Sequence, residues 1–172
     1  MPKLPGVAVL ALLAAGGAAQ AEVKAVAADG MTIQIVVEVP LDRDAAWARL
    51  VDVRSWWSGS HTYSGSADNL SLDAGAGGCW CEIWSGGEVE HGRVVTVMPM
   101  SVLRVDGAFG PLQEMGVSGA MTFTLSDGSA AGKTKLTLDY KVVGSSLSRL
   151  DQLAPVVDSV LGEQAGRFAG AR

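Results

Sequence analysis

The chain has 172 residues, with 13 lysines and arginines against 18 aspartates and glutamates, for a formal net charge of −5. An acidic chain without a basic stripe is a poor match for a phosphate backbone or an anionic membrane surface, so we expect no nucleic-acid partner. Residues 22–172 are enough for one domain with a real core and leave little room for a second.

The first 21 residues have the pattern of a cleavable export leader. Lys3 supplies a positive start, residues 7–15 form an uncharged apolar run, and Ala19 and Ala21 place small residues where signal peptidase reads them. The apolar run is far shorter than the roughly 20 residues that a membrane span needs. We therefore predict cleavage between Ala21 and Glu22, a periplasmic or secreted protein, and no stable membrane insertion after cleavage.

The first predicted elements of the domain are strands and two short helices. Residues 22–27 are weakly strand-like, and residues 31–39 alternate apolar and polar side chains, which is typical of a half-buried strand. The two segments can form a hairpin. Asp42 is a good N-cap for a short helix over residues 45–51, and residues 54–57 are expected to add one more helical turn.

From Ala67 to residue 143 the pattern predicts strands only. The predicted strands alternate apolar and polar residues or are bounded by glycine-rich turns, and they cover residues 69–73, 79–84, 88–98, 101–106, 117–126 and 133–143. Residues 107–116 form an irregular connection rich in glycine and proline. Such a connection, when it holds apolar side chains, can form a lid or a pocket mouth.

The last predicted element is a long helix. Apolar residues recur at intervals of three and four from Leu150 to Phe168, and Pro155 is expected to kink the helix or to mark its true start. A long sheet with one apolar face needs a cover, and this helix is the only element long enough. The order predicts an α+β helix-grip fold: a curved antiparallel sheet of six to seven strands wrapped around a long C-terminal helix, with two short helices after the first strand.

Several short segments carry a family resemblance over residues 31–168. They are Val39-Pro40, Ala46-Trp47-Ala48-Arg49-Leu50, Trp56-Trp57, Gly77-Gly78, Glu90-His91-Gly92-Arg93-Val94 and the helix from Leu147 to Phe168. Together they resemble the SRPBCC, or START-like, superfamily of helix-grip proteins, which includes birch-pollen-allergen-like and polyketide cyclase-like proteins. Residues 61–65 and 110–116 look like those of an exported bacterial branch. The resemblance implies a deep, mainly hydrophobic pocket between sheet and terminal helix, but no single chemistry.

We expect this pocket to bind a small hydrophobic or amphipathic molecule, without a metal or cofactor. No oligomeric state is predicted. The expected ligand-binding residues are Trp57, His61, Tyr63, Cys79, Cys81, Phe109, Met115, Met121, Phe123, Val157 and Leu161.

Cys79 and Cys81 lie two residues apart on a predicted strand, so their side chains share one face while Trp80 and Glu82 share the other. In an extended strand such Cα atoms are about 6.5 Å apart, near the outer limit for a disulfide. The sequence therefore leaves two alternatives, two free thiols or a strained, reducible bridge, and we expect free thiols facing the cavity. If the other face is inward, Glu82 is a candidate acid or base whose pKa burial would raise. A metal site completed by a histidine is possible in principle, but one Cys-x-Cys is a weak signal for it.

The alternative function is a cyclase-, dehydratase- or isomerase-like enzyme that works by proton transfer in the same cavity. It would use His61, Tyr63 and either Glu82 or Glu114, and it requires at least two of them within about 3–6 Å of a common point.

Regular alternation also predicts that Glu90 and His91 point to opposite faces. On the same rule Arg93 shares the face of His91, and Glu88 shares that of Glu90.

Overall fold

The computed structural model describes the backbone of residues 20–170 and the side chains of residues 22–170. The predicted leader falls outside the residues whose side chains are described.

One antiparallel sheet of eight strands forms the frame of residues 20–170. The strands are β1 (Gln20–Ala27), β2 (Gly30–Val39), β3 (Leu70–Leu72), β4 (Cys79–Trp84), β5 (Gly87–Met98), β6 (Val102–Asp106), β7 (Ser118–Asp127) and β8 (Thr134–Val143). Their order in the sheet is β1-β2-β8-β7-β6-β5-β4-β3. The count exceeds the six to seven predicted because the weak first segment forms a full strand that pairs with β2, while the predicted strand over residues 69–73 is present as the three-residue β3.

Two α-helices accompany the sheet in the described part of the chain. Helix α1 (Arg43–Val51) begins after Asp42, whose carboxylate accepts a hydrogen bond of 2.8 Å from the N–H of Ala45. In place of the second predicted helix there is a short 3₁₀ turn over Val53–Ser55. Helix α2 (Leu150–Phe168) contains Pro155 in its interior, so the proline does not mark its start. Within residues 20–170, no helix is both long and apolar enough to cross a membrane.

The core lies on the concave side that α2 covers. Alternate residues of β2 and β8 are buried there, as the period-two pattern predicts, and α2 packs against β1 and β2. Removing this apolar surface from water is the main term that holds the layers together. The buried face of α2 comprises Leu150, Ala154, Leu161, Gln164, Ala165 and Phe168.

Large side chains of the protein itself occupy the interior where a deep pocket was expected. Trp56 is 1% exposed and has its ring centroid 5.5 Å from those of Trp57 and Phe168 and 6.3 Å from that of Phe123. Two clefts, of about 370 and 380 Å³, lie on the surface, one beside residues 51–54 and the other beside residues 127–133. Neither borders the interface between the sheet and α2.

Candidate functional site

A β-bulge in β5 determines where His91 points. Trp80 pairs with Gly92 and Cys81 pairs with Glu90, so His91 is the extra residue of β5. A bulge interrupts the regular alternation of a strand. His91 is therefore buried, while Glu90 and Arg93 lie together on the exposed face and form an ion pair. The prediction that Arg93 shares the face of His91 is wrong for this reason.

The connection between β6 and β7 begins at Gly107, and its backbone passes so close to the bulge that only glycine fits at this position. A Cβ atom on Gly107 would lie 2.4 Å from the carbonyl oxygen of His91 and 2.7 Å from the Cα of Gly92, closer than real Cβ contacts. The N–H of Gly107 donates to the carbonyl of Gly119 at 2.8 Å. This hydrogen bond ties the start of the connection to β7, and the absence of a side chain at Gly107 lets the backbone lie against the bulge.

The inward face of β4 carries Trp80 and Glu82, which are 1% and 0% exposed. Cys79 and Cys81 are half-buried on the outer face and form a disulfide across a Cα–Cα distance of 5.4 Å. The predictions of an inward cysteine face and of free thiols are both wrong. Burying the indole of Trp80 removes far more apolar surface from water than burying two thiols would, and the local contraction of β4 brings the cysteines within bonding range.

Glu82, on the inward face of β4, accepts hydrogen bonds from three donors. The N–H of Tyr63 and Nε2 of His91 each lie 3.0 Å from Oε2, and the N–H of Ser64 donates to Oε1. Burial raises the pKa of Glu82, but the hydrogen bonds from Ser64, Tyr63 and His91 together outweigh it, so this pKa lies below its usual value. The prediction of a raised pKa is therefore wrong, and the buried carboxyl is ionised at neutral pH.

His91 is neutral in this arrangement. Burial lowers its pKa more than the hydrogen bond and the charge of Glu82 raise it. Since the ionised Glu82 can only accept, the hydrogen-bond network assigns the ring proton of His91 to Nε2. Nδ1 then carries a lone pair and is an acceptor.

Phe109 covers His91 and joins it to a group of aromatic rings. Its ring is stacked on that of His91, with centroids 6.1 Å apart and planes 9° apart. Its centroid also lies 5.1 Å from that of Trp80, 6.3 Å from that of Trp57 and 6.0 Å from that of Tyr140. We call Trp57, Trp80, His91, Phe109 and Tyr140 the Phe109 cluster.

The connection between β6 and β7, residues 107–117, is fastened over the cluster mainly by side chains. The N–H of Phe109 donates to the hydroxyl of Tyr140 at 3.1 Å, and this hydroxyl donates to the carbonyl of Gly107 at 3.2 Å. The hydroxyl of Tyr63 donates to the carbonyl of Gly110 at 3.1 Å, and Gln113 donates to the carbonyl of Glu90 at 2.7 Å. Burial raises the pKa of Tyr140 to about 12, so its hydroxyl keeps its proton.

The four predicted proton-transfer residues are only partly brought together. Tyr63 lies beside Glu82 through its N–H and beside His91 through its ring, whose centroid is 5.9 Å from that of the imidazole. Burial raises the pKa of Tyr63, and the negative charges of Glu114 and Glu82 raise it further. His61 points elsewhere and pairs with Glu163 on α2 at 3.0 Å.

The predicted ligand-binding residues also separate into groups. Met121, Phe123 and Leu161 are fully buried in the core, while Met115 and Val157 are half-buried against it. The sequence prediction did not include His91 or Trp80 among the site residues. Gly92 was the available signal, because a glycine inside a strand often marks a bulge.

Acidification is expected to destabilise the fold through this pair. The pKa values of His91 and Glu82 are both lowered in the folded chain, so the unfolded chain binds protons more readily. Stability contributed by His91 is lost as the pH falls through its ordinary value of 6.5, and that of Glu82 as the pH falls below 4.5. Urea unfolding from about pH 8 to about pH 3 measures both losses. In His91→Gln the loss near pH 6.5 should disappear; an unchanged slope there would contradict the assignment.

Comparison with known proteins identifies the fold. No protein-family model and no curated protein matches the chain. A conserved protein of unknown function from Enterococcus faecalis is similar with a TM-score of 0.55 and 12% identity, over 86% of this chain and 75% of that one. A protein from Chromobacterium violaceum is similar with a TM-score of 0.55 and 15% identity, over 81% of this chain and 94% of that one.

A third similar structure is DynU16, a putative protein in the dynemicin biosynthetic locus. Its TM-score is 0.57 and its identity is 21%, over 80% of this chain and 45% of DynU16, so the chain spans less than half the length of that protein. At these identities the likeness shows the fold alone. The curved antiparallel sheet with a long C-terminal helix is consistent with a helix-grip fold.

Proposed function

We propose that this chain is an exported helix-grip protein of the SRPBCC, or START-like, superfamily that binds a small amphipathic molecule at the Phe109 cluster. One observation carries the proposal: a neutral imidazole, oriented by a buried carboxylate, lies at the edge of a group of aromatic rings. Binding sites for small molecules combine apolar walls with a few oriented polar groups in this way.

The chemistry of His91 selects the polar end of the ligand. Its Nε2–H is committed to Glu82, so Nδ1 can only accept a hydrogen bond. A ligand hydroxyl donates to such an atom, whereas a carboxylate or an ether oxygen does not. The ring of Trp80 meets that of Phe109 edge to face and the ring of Trp57 meets it at a tilt, so the space that the Phe109 ring occupies favours an aromatic group at the apolar end of the ligand. The ligand class is therefore a small phenol.

In the proposal, the ring of Phe109 occupies the ligand site when no ligand is bound, and this ring moves aside on binding. The connection that carries it is fastened by single hydrogen bonds from Tyr63 and Gln113 and by two that involve the hydroxyl of Tyr140, which accepts from the N–H of Phe109 and donates to the carbonyl of Gly107, and not by a strand ladder. Segments of this kind open at low cost in free energy. An apolar cavity of about 150 Å³ is enough to bind benzene. The space that the ring of Phe109 vacates therefore fits a ligand with a single ring.

The subcellular location in this proposal is the one that the leader pattern predicts. Lys3, the apolar run of residues 7–15 and the small residues at Ala19 and Ala21 support export. The proposed ligand would then meet the protein in the periplasm or outside the cell.

Titration with phenol, benzene and anisole, followed by NMR of the tryptophan and histidine resonances, tests the binding. We expect saturable binding of phenol, with anisole about fivefold weaker because it cannot donate the hydrogen bond to Nδ1. The variant Phe109→Ala should bind phenol more tightly, since the competing ring is gone, and His91→Phe should bind phenol and anisole alike. His61→Asn is the matched control and should leave the preference unchanged. If none of the three compounds binds the protein or Phe109→Ala saturably, the proposal fails.

A second candidate function is proton transfer at the same place. The observation that favours it is that a carboxylate holds an imidazole whose other nitrogen is free to act as a base, with Tyr63 beside both. His61, which the sequence prediction included, takes no part in this arrangement. In the same samples prepared in D₂O with cyclohexanone, deuterium uptake at the α-carbon that is lost in His91→Gln and in Glu82→Gln would favour catalysis over binding alone.

A further inference from the structure

We propose that the Cys79–Cys81 disulfide is a reactive redox site that oxidises dithiols by thiol–disulfide exchange. The proposal is independent of ligand binding at the Phe109 cluster, because the two cysteines point to the opposite face of β4 from Trp80 and Glu82. Its chemistry concerns only the outer face of the sheet.

The outer face of β4 is accessible to a partner. Both cysteines are half-buried, and Ile83, the next residue after Glu82, is 58% exposed. Among the described helices, α2 packs against β1 and β2 and α1 packs against β7. The neighbouring strand β3 has only three residues, and its Ser71 pairs with Cys81. An incoming thiolate can therefore approach the bridge from solvent.

The bridge contributes little to holding the fold together. A disulfide stabilises a protein mainly by closing a loop of the unfolded chain, and the effect grows with loop length. Here the two cysteines are separated by only two positions in sequence. Accessible disulfides with little structural value are the ones that take part in exchange, regulation or catalysis.

The charges beside the two sulfurs differ. On β5, Arg93 pairs with Cys79 and Glu90 pairs with Cys81, and both charged side chains lie on the exposed face that the cysteines share. Arg93 is held in place by its ion pair with Glu90 and by a hydrogen bond of 2.8 Å to the carbonyl of Gly77. A nearby guanidinium stabilises a thiolate, so Cys79 is the better leaving group of the two.

The exchange follows from this asymmetry. One thiolate of a dithiol attacks Sγ of Cys81, the bond between the two cysteine sulfurs breaks, and Cys79 leaves as a thiolate beside Arg93. The second thiolate of the dithiol then attacks the substrate sulfur of the mixed disulfide and expels Cys81 as a thiolate. The dithiol loses two electrons and becomes a disulfide, the bridge gains them, and the two protons of the substrate thiols end on Cys79 and Cys81 or in the buffer.

The test uses the full-length protein and a reduced peptide that carries two cysteines, with an oxidised Gly-Cys-Trp-Cys-Glu peptide as the unfolded reference for the bridge. We expect the protein to oxidise the dithiol peptide at least about tenfold faster than the reference does, because only the folded sheet places Arg93 beside Cys79. Acid quenching and peptide mapping should find the mixed disulfide on Cys81. A rate no faster than that of the reference peptide would overturn the proposal, as would a mixed disulfide on Cys79 alone.

Variants separate the role of the charge from an effect on folding. Arg93→Gln should slow the exchange severalfold, and Arg93→Lys, which keeps the positive charge, should restore most of the rate. Arg104→Gln on the exposed face of β6 is the matched control and should exchange like the parent protein. Circular dichroism confirms that each variant is folded. Equal rates for Arg93→Gln and Arg104→Gln would show that the charge beside Cys79 does not direct the reaction.

Discussion

Replacing Glu82 by glutamine is expected to lower the free energy of unfolding by about 3 kcal/mol. The carboxylate is 0% exposed and accepts from the N–H groups of Tyr63 and Ser64 and from His91. A glutamine keeps one acceptor oxygen but replaces the other with an NH₂ group. This group is itself a donor, so the N–H group that it faces loses its acceptor. Urea unfolding at about pH 7.5, followed by tryptophan fluorescence, measures the loss.

The matched control is Glu90→Gln on the neighbouring strand. Glu90 is exposed and pairs only with Arg93 in an ion pair on the surface, and such pairs contribute little. Amide hydrogen exchange gives an independent readout, since the N–H groups of Tyr63 and Ser64 should lose protection in Glu82→Gln and keep it in Glu90→Gln. Equal stability of the two variants would mean that the buried carboxylate does not hold the loop of residues 62–66.

Replacing Trp56 by alanine is expected to have the largest effect, a loss of about 4 kcal/mol in the free energy of unfolding. The side chain is 1% exposed and meets the rings of Trp57, Phe123 and Phe168 edge to face. Its removal leaves a cavity that these large rings cannot fill without losing their own contacts. Thermal and urea unfolding of the purified variant measure the effect.

Two further variants test this interpretation of Trp56. Trp56→Phe keeps one ring and should lose less than half as much stability as Trp56→Ala, because most of the edge-to-face contacts survive. Trp84→Ala removes an indole of the same size from the half-buried end of β4, where its ring lies over Gly86 and Gly87. If Trp56→Ala and Trp84→Ala lose the same amount of stability, burial in the core is not what makes Trp56 important.

Much of the fold could be predicted because periodicity is a local property. The strict alternation over residues 31–39, 117–126 and 133–143 corresponds to β2, β7 and β8, whose buried and exposed residues alternate as expected. The intervals of three and four from Leu150 to Phe168 correspond to α2. The count of strands was too low because β1 owes its strand conformation to pairing with β2 and carries only a weak pattern of its own.

The candidate site was less predictable because it depends on a break in that periodicity. A single bulged residue in β5 turns His91 inward and separates it from Arg93, and alternation taken literally gives the opposite assignment for Arg93. His61, a histidine with the same chemistry, lies by Glu163 on α2 and does not reach Glu82. Which histidine meets the carboxylate is decided by contacts between residues far apart in the chain.

The sequence by itself determined the class of fold, the covering helix and the two-face arrangement of Cys79, Trp80, Cys81 and Glu82, because each follows from the period of a strand or helix. Only the tertiary structure decided which face is inward. The face that carries Trp80 and Glu82 is inward because Trp80 buries more apolar area than two thiols would, and because Glu82 meets its hydrogen-bond donors there. It also decided that the cysteines are bonded and that aromatic rings fill the space under α2. These outcomes are set by packing across the sheet, where a difference of one residue in register redirects every side chain.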